Sequence, residues 1–332
     1  MSKRIQIYTE GGLYLGVGNV FRSLSLANKI KDKEKVEISF ITSSEDYIKD
    51  IIIKQNFQVI VKNNQIDILD YIIQEKSNIL IIDYLGINAN FVKKIKEQNI
   101  YVIIVGNISE ANSYADIVIN AIIGTNFNNN IRTDVNGTLF FEGPKYLLLR
   151  SEFTQKRNSY KYRNSLKNVT LLFGGTDQAN FSCKVLHNLT LYDNSLNITI
   201  ILGPGYTFYE ELDILIETKS LKNNVKILKN ATNISEILLN SDFLITSPGT
   251  TLFEAFCLGV PALAFFQNKS QRDIFCSFFR TSAYEDFNNV SLKKHITSLY
   301  EDYDSYKKEL NFLSIGTGEN EIINKIVQVL KS

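Results

Sequence analysis

Two short stretches hold the residues best suited to chemistry. One is Phe173-Gly174-Gly175-Thr176-Asp177; the other runs Thr246-Ser247-Pro248-Gly249-Thr250-Thr251-Leu252-Phe253-Glu254. Each follows a short apolar run of strand character, NVTLLF at 168–173 and DFLIT at 242–246, and each leads into a helical pattern. A strand that ends in small residues and hands over to a helix leaves unpaired backbone N–H groups at the helix start, where the helix dipole also favours an anion. Two such turns in one run of alternating strands and helices are expected at the same edge of one parallel sheet. Gly249, Thr250 and Thr251 would then hold a diphosphate, and Glu254, one turn into the helix, would reach ribose hydroxyls. The plainer alternative is that these glycines only make tight turns. Either turn alone leaves that alternative standing, whereas the pair in this context points to a nucleotide site.

The elements that must position these turns repeat along the chain. RIQIY at 4–8 reads as the first strand, followed by a Gly-rich turn over 11–20 and a helix from Phe21 to Ile30. Such a turn, at the end of the first strand, is where a doubly wound domain opens its cleft. Strand–helix pairs continue to Val105, which argues a parallel sheet with right-handed crossovers. Asp83 closes the strand NILIID, where it either faces the cleft or caps the turn before Gly86. The Asn-rich stretch 124–137 reads as an exposed loop, and the polar run 155–167 (QKRNSYKYRNSLK) as a solvated linker. The second half repeats the alternation, and GTGENEI at 316–322 opens a last amphipathic helix. The expected domains are therefore 1–154 and 168–332, two similar α/β halves facing each other across a cleft.

Composition narrows the classes. At 332 residues, 44% hydrophobic and 21% charged, the chain suits two soluble domains, each with its own core. The 36 basic and 35 acidic residues leave a net charge of +1, which offers no electrostatic case for nucleic acid. No apolar run approaches the roughly 20 residues of a membrane span, and MSKRIQIYTE enters a strand with no signal-peptide core, so a cytoplasmic protein is expected. Cys183, Cys257 and Cys276 read as buried thiols, and no His/Cys cluster of ligand spacing suggests a metal or other cofactor. A dehydrogenase is the weaker reading: Gly16-Val17-Gly18 is only a fragment of G-x-G-x-x-G, with Phe21 in place of the third glycine.

In order along the chain stand GVGNVFRSLSLA (16–27), ILIIDYLGI (79–87), YADIVIN (114–120), GPKYLLLRSEF (143–153), LLFGGTD (171–177), ITSPGTTLFEAFCLGVPAL (245–263) and GTGENEIINKI (316–326). Together these blocks resemble the UDP-2,4-diacetamido-2,4,6-trideoxy-β-L-altropyranose hydrolases of the pseudaminic acid pathway and the related spore-coat polysaccharide proteins. The resemblance implies a GT-B fold of two Rossmann-like domains with parallel sheets facing a central cleft. It also implies that the turns Gly174–Asp177 (Gly174, Gly175, Thr176, Asp177) and Ser247–Thr251 bind the nucleotide diphosphate, that Glu254 binds ribose, and that backbone at Ile234 lines the uracil pocket. The loop Gly16–Asn19, including Gly18, would close over sugar and diphosphate.

At the catalytic position this sequence departs from the family. The resembled loop reads G-x-G-H, and this chain has Asn19 where the histidine is the expected base. An amide orients a water or hydroxyl but accepts no proton near pH 7. His187 and His295 fall on predicted helices away from the turns. Relatives carry Asp-His-Tyr-Gly where this chain reads Asp83-Tyr84-Leu85-Gly86. Asp83 or Glu10 would then serve as base. The expected function is an enzyme of bacterial surface glycan synthesis that cleaves the anomeric C–O–diphosphate bond of a UDP-sugar with inversion and passes the sugar to a hydroxyl acceptor. The alternatives are a hydrolase releasing UDP and free sugar, and a protein that binds the nucleotide sugar without turnover.

Overall fold

Short β-branched runs alternating with amphipathic stretches fold as parallel strands joined by crossover helices. The computed structural model describes residues 3–12, 15–44, 46–122, 128–193, 195–221, 224–275, 281–282 and 289–331. Cys276 and the first part of the Asn-rich stretch, 124–127, lie outside the described residues. In chain order the first elements are β1 (Arg4–Thr9), α1 (Gly18–Lys33), β2 (Glu37–Thr42), α2 (Asp46–Ile53), β3 (Gln58–Val61), α3 (Gln65–Glu75), β4 (Ile79–Asp83), α4 (Ala89–Lys96), β5 (Tyr101–Val105), β6 (Ile117–Asn120), β7 (Asn130–Thr133) and β8 (Leu139–Glu142). There follow α5 (Ser151–Thr154), β9 (Asn168–Leu172), α6 (Phe181–Tyr192), β10 (Asn197–Leu202), α7 (Tyr209–Thr218), β11 (Val225–Lys229), α8 (Ile234–Leu239), β12 (Phe243–Thr246), α9 (Thr250–Leu258), β13 (Ala262–Phe265), α10 (Lys269–Phe275), β14 (Thr281–Ser282), α11 (Asn289–Glu301), α12 (Tyr303–Leu313) and α13 (Glu319–Lys331).

The first unit comprises Met1–Leu149 together with Leu313–Ser332. Its sheet has the order β3-β2-β1-β4-β5-β6-β8-β7. Each pairing is parallel except β7 with β8. Alternate residues of the central strands cover opposite faces, as a period of two requires. Ile5, Ile7, Ile79 and Ile81 pack with Val20, Leu24 and Ala27 of α1 and with Ile322, Ile323 and Ile326 of α13. Leu80, Ile82, Val102 and Ile104 pack with Ile68 and Ile72 of α3 and with Phe91, Val92 and Ile95 of α4. Both faces are thus buried, the normal state of a parallel sheet.

The second unit, Arg150–Phe312, carries a six-stranded sheet in the order β11-β10-β9-β12-β13-β14. All of its pairings are parallel. In both sheets the first strand of the unit lies between its second and fourth, so the winding direction reverses beside β1 and again beside β9. Crevices at such switch points, at the carboxyl ends of the strands, are where open α/β sheets bind ligands.

Three sequence expectations change. The run 155–167 is not a solvated connector. Tyr160 is buried, its amide donates to the Leu258 carbonyl at 3.0 Å and its hydroxyl to the Asp242 carbonyl at 3.2 Å. The Asp242 carboxylate accepts from Arg163 Nη1 at 3.1 Å and from the amides of Lys167 and Asn168 at 2.9 and 2.8 Å, so the segment belongs to the second unit. The tail, expected with the second half, is part of the first unit: Lys29 Nζ donates to Glu319 Oε1 at 2.5 Å and the apolar face of α13 completes the core on the α1 side. Within the stretch expected as a loop, residues 130–133 form the exposed edge strand β7, antiparallel to β8.

Candidate functional site

In the second unit, β9 and β12 are neighbours, with Leu172 opposite Thr246, so the Gly174 and Gly249 turns emerge side by side at the switch point. The two turns are built differently. In the first, only Gly174 is exposed; it adopts φ +77, a left-handed value that favours glycine, and an added Cβ there meets nothing within 4 Å. Gly175 is turned inward, its carbonyl accepting from the Gly205 amide at 2.9 Å. A Cβ on Gly203 would come within 2.5 Å of Gly175, and one on Gly205 within 2.8 Å of the Thr176 methyl group, so the β10 loop presses on this turn. Asp177 is buried and its carboxylate accepts from the amides of Phe181 and Ser182, both at 2.8 Å. The α6 start, read from the sequence as open to a diphosphate, is therefore occupied by the chain's own anion.

At the second turn no anion of the chain sits on the helix start among the described residues. Gly249 is the N-cap of α9 and makes no side-chain cap, and the first turn holds no acidic residue. Gly249 has φ 161, extended backbone that any residue adopts, and an added Cβ there meets nothing within 4 Å. Neither backbone nor packing requires this glycine. Close approach by a ligand to the N–H groups of Thr250 and Thr251 does require a position without a side chain. Ser247 is buried, and its hydroxyl accepts from Gln267 Nε2 at 2.6 Å.

Glu254, read as a ribose contact, is 1% exposed. Its oxygens accept from Nε and Nη2 of Arg150, both at 2.7 Å. Burial pulls the Arg150 guanidinium down, and the charge and hydrogen bonds of Glu254 outweigh that, leaving it above its ordinary value. Arg150 Nη1 also lies 3.2 Å from Glu152, whose other oxygen accepts from the Ser235 amide at 3.1 Å. Ile234, expected beside the base, is buried at the start of α8.

In the first unit the β1–α1 loop is closed on itself by reciprocal bonds between Gly12 and Gly16 at 3.0 and 2.8 Å. Gly16 takes φ +71 and meets nothing within 4 Å of an added Cβ. Val17, the N-cap of α1, makes no side-chain cap, and the first turn, Gly18 and Asn19 included, has no acidic residue. Asp83 neither stands free at the strand end nor caps the Gly86 turn. It accepts from Nε and Nη2 of Arg22 at 2.8 and 2.5 Å and from the Ser23 hydroxyl at 3.1 Å. Arg22 Nη2 also donates to Asn19 Oδ1 at 3.2 Å. An arginine only donates, so this contact fixes the amide with its N–H₂ end turned away from Arg22. Burial opposes the Arg22 charge, but the Asp83 carboxylate more than offsets it and the guanidinium titrates above its ordinary value. Gly106 leaves room for this group: a Cβ there would stand 3.0 Å from Nη2. Glu10, the other carboxylate considered as base, latches the β2–α2 turn. It accepts from the Ser43 amide and hydroxyl at 2.8 Å, from Thr42 at 3.1 Å and from the Ser44 hydroxyl. For either carboxylate to act as base, these partners must first let go.

Arg22, Arg150 and Gln267 escaped the sequence reading. Arg22 had a local signal, since it lies one turn from Asn19 on the same helix. Arg150 and Gln267 had none, because the contacts that place them, Arg150 with Glu254 and Gln267 with Ser247 and Phe173, span 104, 20 and 94 residues. His187 is exposed on α6 and His295 half-buried on α11. Cys183 is half-buried and Cys257 buried, the latter's thiol donating to the Phe153 carbonyl at 3.5 Å. Among the described residues no group of His, Cys, Asp and Glu could hold a metal, and no helix is long and apolar enough to cross a membrane.

Burial also pushes Asp177 up, to about 6, against the pull of the Ser182 and Phe181 amides. An unfolded aspartate titrates near 3.9, so the folded chain binds this proton more tightly. The stability that Asp177 contributes is full below about pH 4 and is lost as the pH rises through about 6. Asp177→Asn keeps an acceptor for one of the two α6 amides and removes the charge. It is expected to abolish this part of the pH dependence and to recover on the order of 2 kcal/mol at pH 7.5 relative to pH 4. Urea midpoints at pH 4, 6 and 7.5 check it; a variant with an unchanged pH slope would show that Asp177 does not titrate there.

No protein-family model matches the chain. It is 38% identical over 331 residues to the uncharacterized protein MJ1062 of Methanocaldococcus jannaschii, covering 98% of this chain and 66% of that one. It therefore spans just under two thirds of that relative. It is 28% identical over 308 residues to the spore coat polysaccharide biosynthesis protein SpsG of Bacillus subtilis, covering 90% of this chain and 87% of SpsG. Among solved structures it superposes on the calicheamicin glycosyltransferase CalG4 with a TM-score of 0.66 at 11% identity, covering 100% of this chain and 99% of that one. The UDP-GlcNAc 2-epimerase of Neisseria meningitidis, solved with UDP-GlcNAc bound, gives 0.63 at 10% identity, with 99% of both chains covered. MurG of Acinetobacter baumannii gives 0.62 at 13% identity, covering 98% of this chain and 99% of MurG. With its two Rossmann-like units of parallel sheet, the chain has the GT-B fold.

Proposed function

We propose that the chain is a nucleotide-sugar enzyme of glycan biosynthesis that binds a UDP-linked sugar through its second unit. Gly249 carries this reading: it is a glycine that neither its φ of 161 nor its surroundings demand, at the uncapped start of α9. The N–H groups at Thr250 and Thr251 would hold the diphosphate, with Gly174 approaching from the adjacent strand end. Gly175, Thr176, Asp177 and Ser247 shape that cradle from behind rather than touching the ligand. The Neisseria meningitidis fold neighbour, solved with UDP-GlcNAc, supports the choice of nucleotide; the name of SpsG supports the glycan setting. Ribose would approach the Arg150–Glu254 pair, and the uracil the start of α8 at Ile234.

The bond cleaved would join the anomeric carbon to the β-phosphate oxygen. As it breaks, negative charge grows on the departing UDP, and fixed N–H dipoles at α9 stabilise it without having to reorganise. Attack from the opposite face inverts the anomeric centre. At the first unit, Gly16, Gly18 and Asn19 would meet the sugar side, and Asp83 would act through Arg22 to hold Asn19. With Asn19 Oδ1 engaged and Asp83 paired, this unit offers an amide donor where the resembled hydrolases have a base. An attacking hydroxyl must also give up its proton, to Asp83 once Arg22 releases it or to the departing diphosphate; transfer is the reading favoured here because the residue with which the resembled hydrolases activate water is the one replaced.

Incubation with a panel of UDP-sugars, with free UDP followed by NMR, separates the outcomes. Release of UDP only when an acceptor extract is added supports transfer; release in water alone supports hydrolysis; UDP binding with neither marks a binding protein. Gly249→Ala adds a methyl group where nothing crowds it, so its stability is expected within about 0.5 kcal/mol of wild type, while UDP affinity should fall about tenfold or more. Calorimetry showing unchanged affinity would remove the α9 start from the site.

A further inference from the structure

The strand order β9-β12-β13 places the Gly174 turn, the Gly249 turn and the segment after β13 in a row along the carboxyl edge of the second sheet. Gln267, two residues beyond β13, reaches across that row. Its Nε2 donates to Ser247 Oγ in the β12 turn at 2.6 Å and to the Phe173 carbonyl at the end of β9 at 3.0 Å. Its Oε1 accepts from the Ala179 amide, ahead of α6, at 3.3 Å. The side chain is held from its own side as well, since the Gln267 amide donates to Gln271 Oε1 at 2.8 Å in the first turn of α10. One primary amide thus uses both donors and its acceptor on three backbone segments. The peptide bond following Phe173 leads directly into Gly174, and Ser247 stands two residues before Gly249.

We propose that Gln267 is a positioning residue that sets the separation of the Gly174 and Gly249 turns, so that both meet one diphosphate. The inference rests on the reading of the α9 turn as a diphosphate site. No strand pairing can do this work, because the ladder between β9 and β12 ends at Leu172 and Thr246. Beyond that pair the turns carry glycines, which hold their conformation poorly unless tied. Gly205 braces the first turn from the β10 side through its bond to Gly175, and Gln267 braces it from the β13 side.

The test compares UDP with uridine, because their affinity ratio reports the diphosphate contacts and cancels those of the nucleoside. In the full chain, Gln267→Met keeps the length of the side chain and removes all three hydrogen bonds. It is expected to lower the UDP-to-uridine affinity ratio about tenfold while uridine affinity changes less than about twofold. Ser247→Ala, which removes one arm, should lower the ratio by a smaller factor, and Gln267→Glu, which repels the Phe173 carbonyl, by at least as much as Gln267→Met. Urea midpoints accompany each variant, and the ratio is read at a temperature where all are folded; should Gln267→Met not fold, Ser247→Ala and Gln267→Glu decide. A wild type that prefers UDP, with variants that keep the full preference, overturns this inference alone. A wild type without any preference for UDP overturns the diphosphate reading and this inference with it.

Discussion

Arg150→Ala is expected to destabilise the second unit by about 3–5 kcal/mol, and Glu254→Ala by distinctly less. The difference follows from what each leaves behind. Without Arg150, the Glu254 carboxylate stays in place with its side chain 2% exposed and loses the donors to both of its oxygens. Without Glu254, the Arg150 side chain, 25% exposed in the intact protein, still has Glu152 at 3.2 Å. An uncompensated buried charge costs more than a partly exposed one with a second partner. Arg150→Met combined with Glu254→Leu removes both charges and should recover most of the loss. Urea unfolding of the four proteins measures this; equal losses for the two single variants would mean that Glu254 has another partner. The same pair bears on ribose, because Glu254→Gln keeps the packing and one of the two acceptor oxygens for Arg150. If ribose approaches this pair, Glu254→Gln should weaken UDP severalfold, read at a temperature where the variant is folded.

Asn19→His is expected to raise the release of UDP from a UDP-sugar in water by about 10²-fold, within the ~10²–10⁴ that a positioned general base contributes. Asn19 presents a donor at the start of α1, and its acceptor end is taken by Arg22. An imidazole there supplies the missing proton acceptor. Its signature is a rate that climbs with pH through the imidazole range near 6.5, whereas Asn19→Ala should show neither the gain nor the profile. A flat profile without gain would mean that the absent imidazole is not the sole difference from the resembled hydrolases, and attention would pass to Tyr84 and Leu85.

Much of the architecture was legible because it depends on local periodicity. Alternation of apolar strands with amphipathic helices fixes a parallel α/β sheet whatever the distant partners are, and β1, β4, β9 and β12 fall where the pattern puts them. The Gly174 and Gly249 turns were legible for the same reason, as small residues between a strand and a helix. What each turn exposes was not. Thr176 and Asp177 look as available as Thr250 and Thr251 in a string of letters. Asp177 folds back on the α6 amides, while among the described residues the α9 start has no acidic residue in its first turn and no cap from its own N-cap residue. The polar run 155–167 misled by composition: Arg163 and Tyr160 are polar at their tips and packed along their length, an amphipathic character that percentage counts miss.

Residue order alone determined the α/β class, the repetition of one winding pattern in two halves, the loss of an ionisable group at position 19 and the pair of glycine turns, all properties carried by neighbours along the chain. Tertiary structure alone decided that Arg22 engages Asp83, that Arg150 closes over Glu254, that Gln267 ties two strand ends, and that the last helix joins the first sheet. Those are pairings across tens to hundreds of residues. Their geometry is set only when the sheet order brings separate strand ends to one edge, and a buried charge then takes whichever partner stands there.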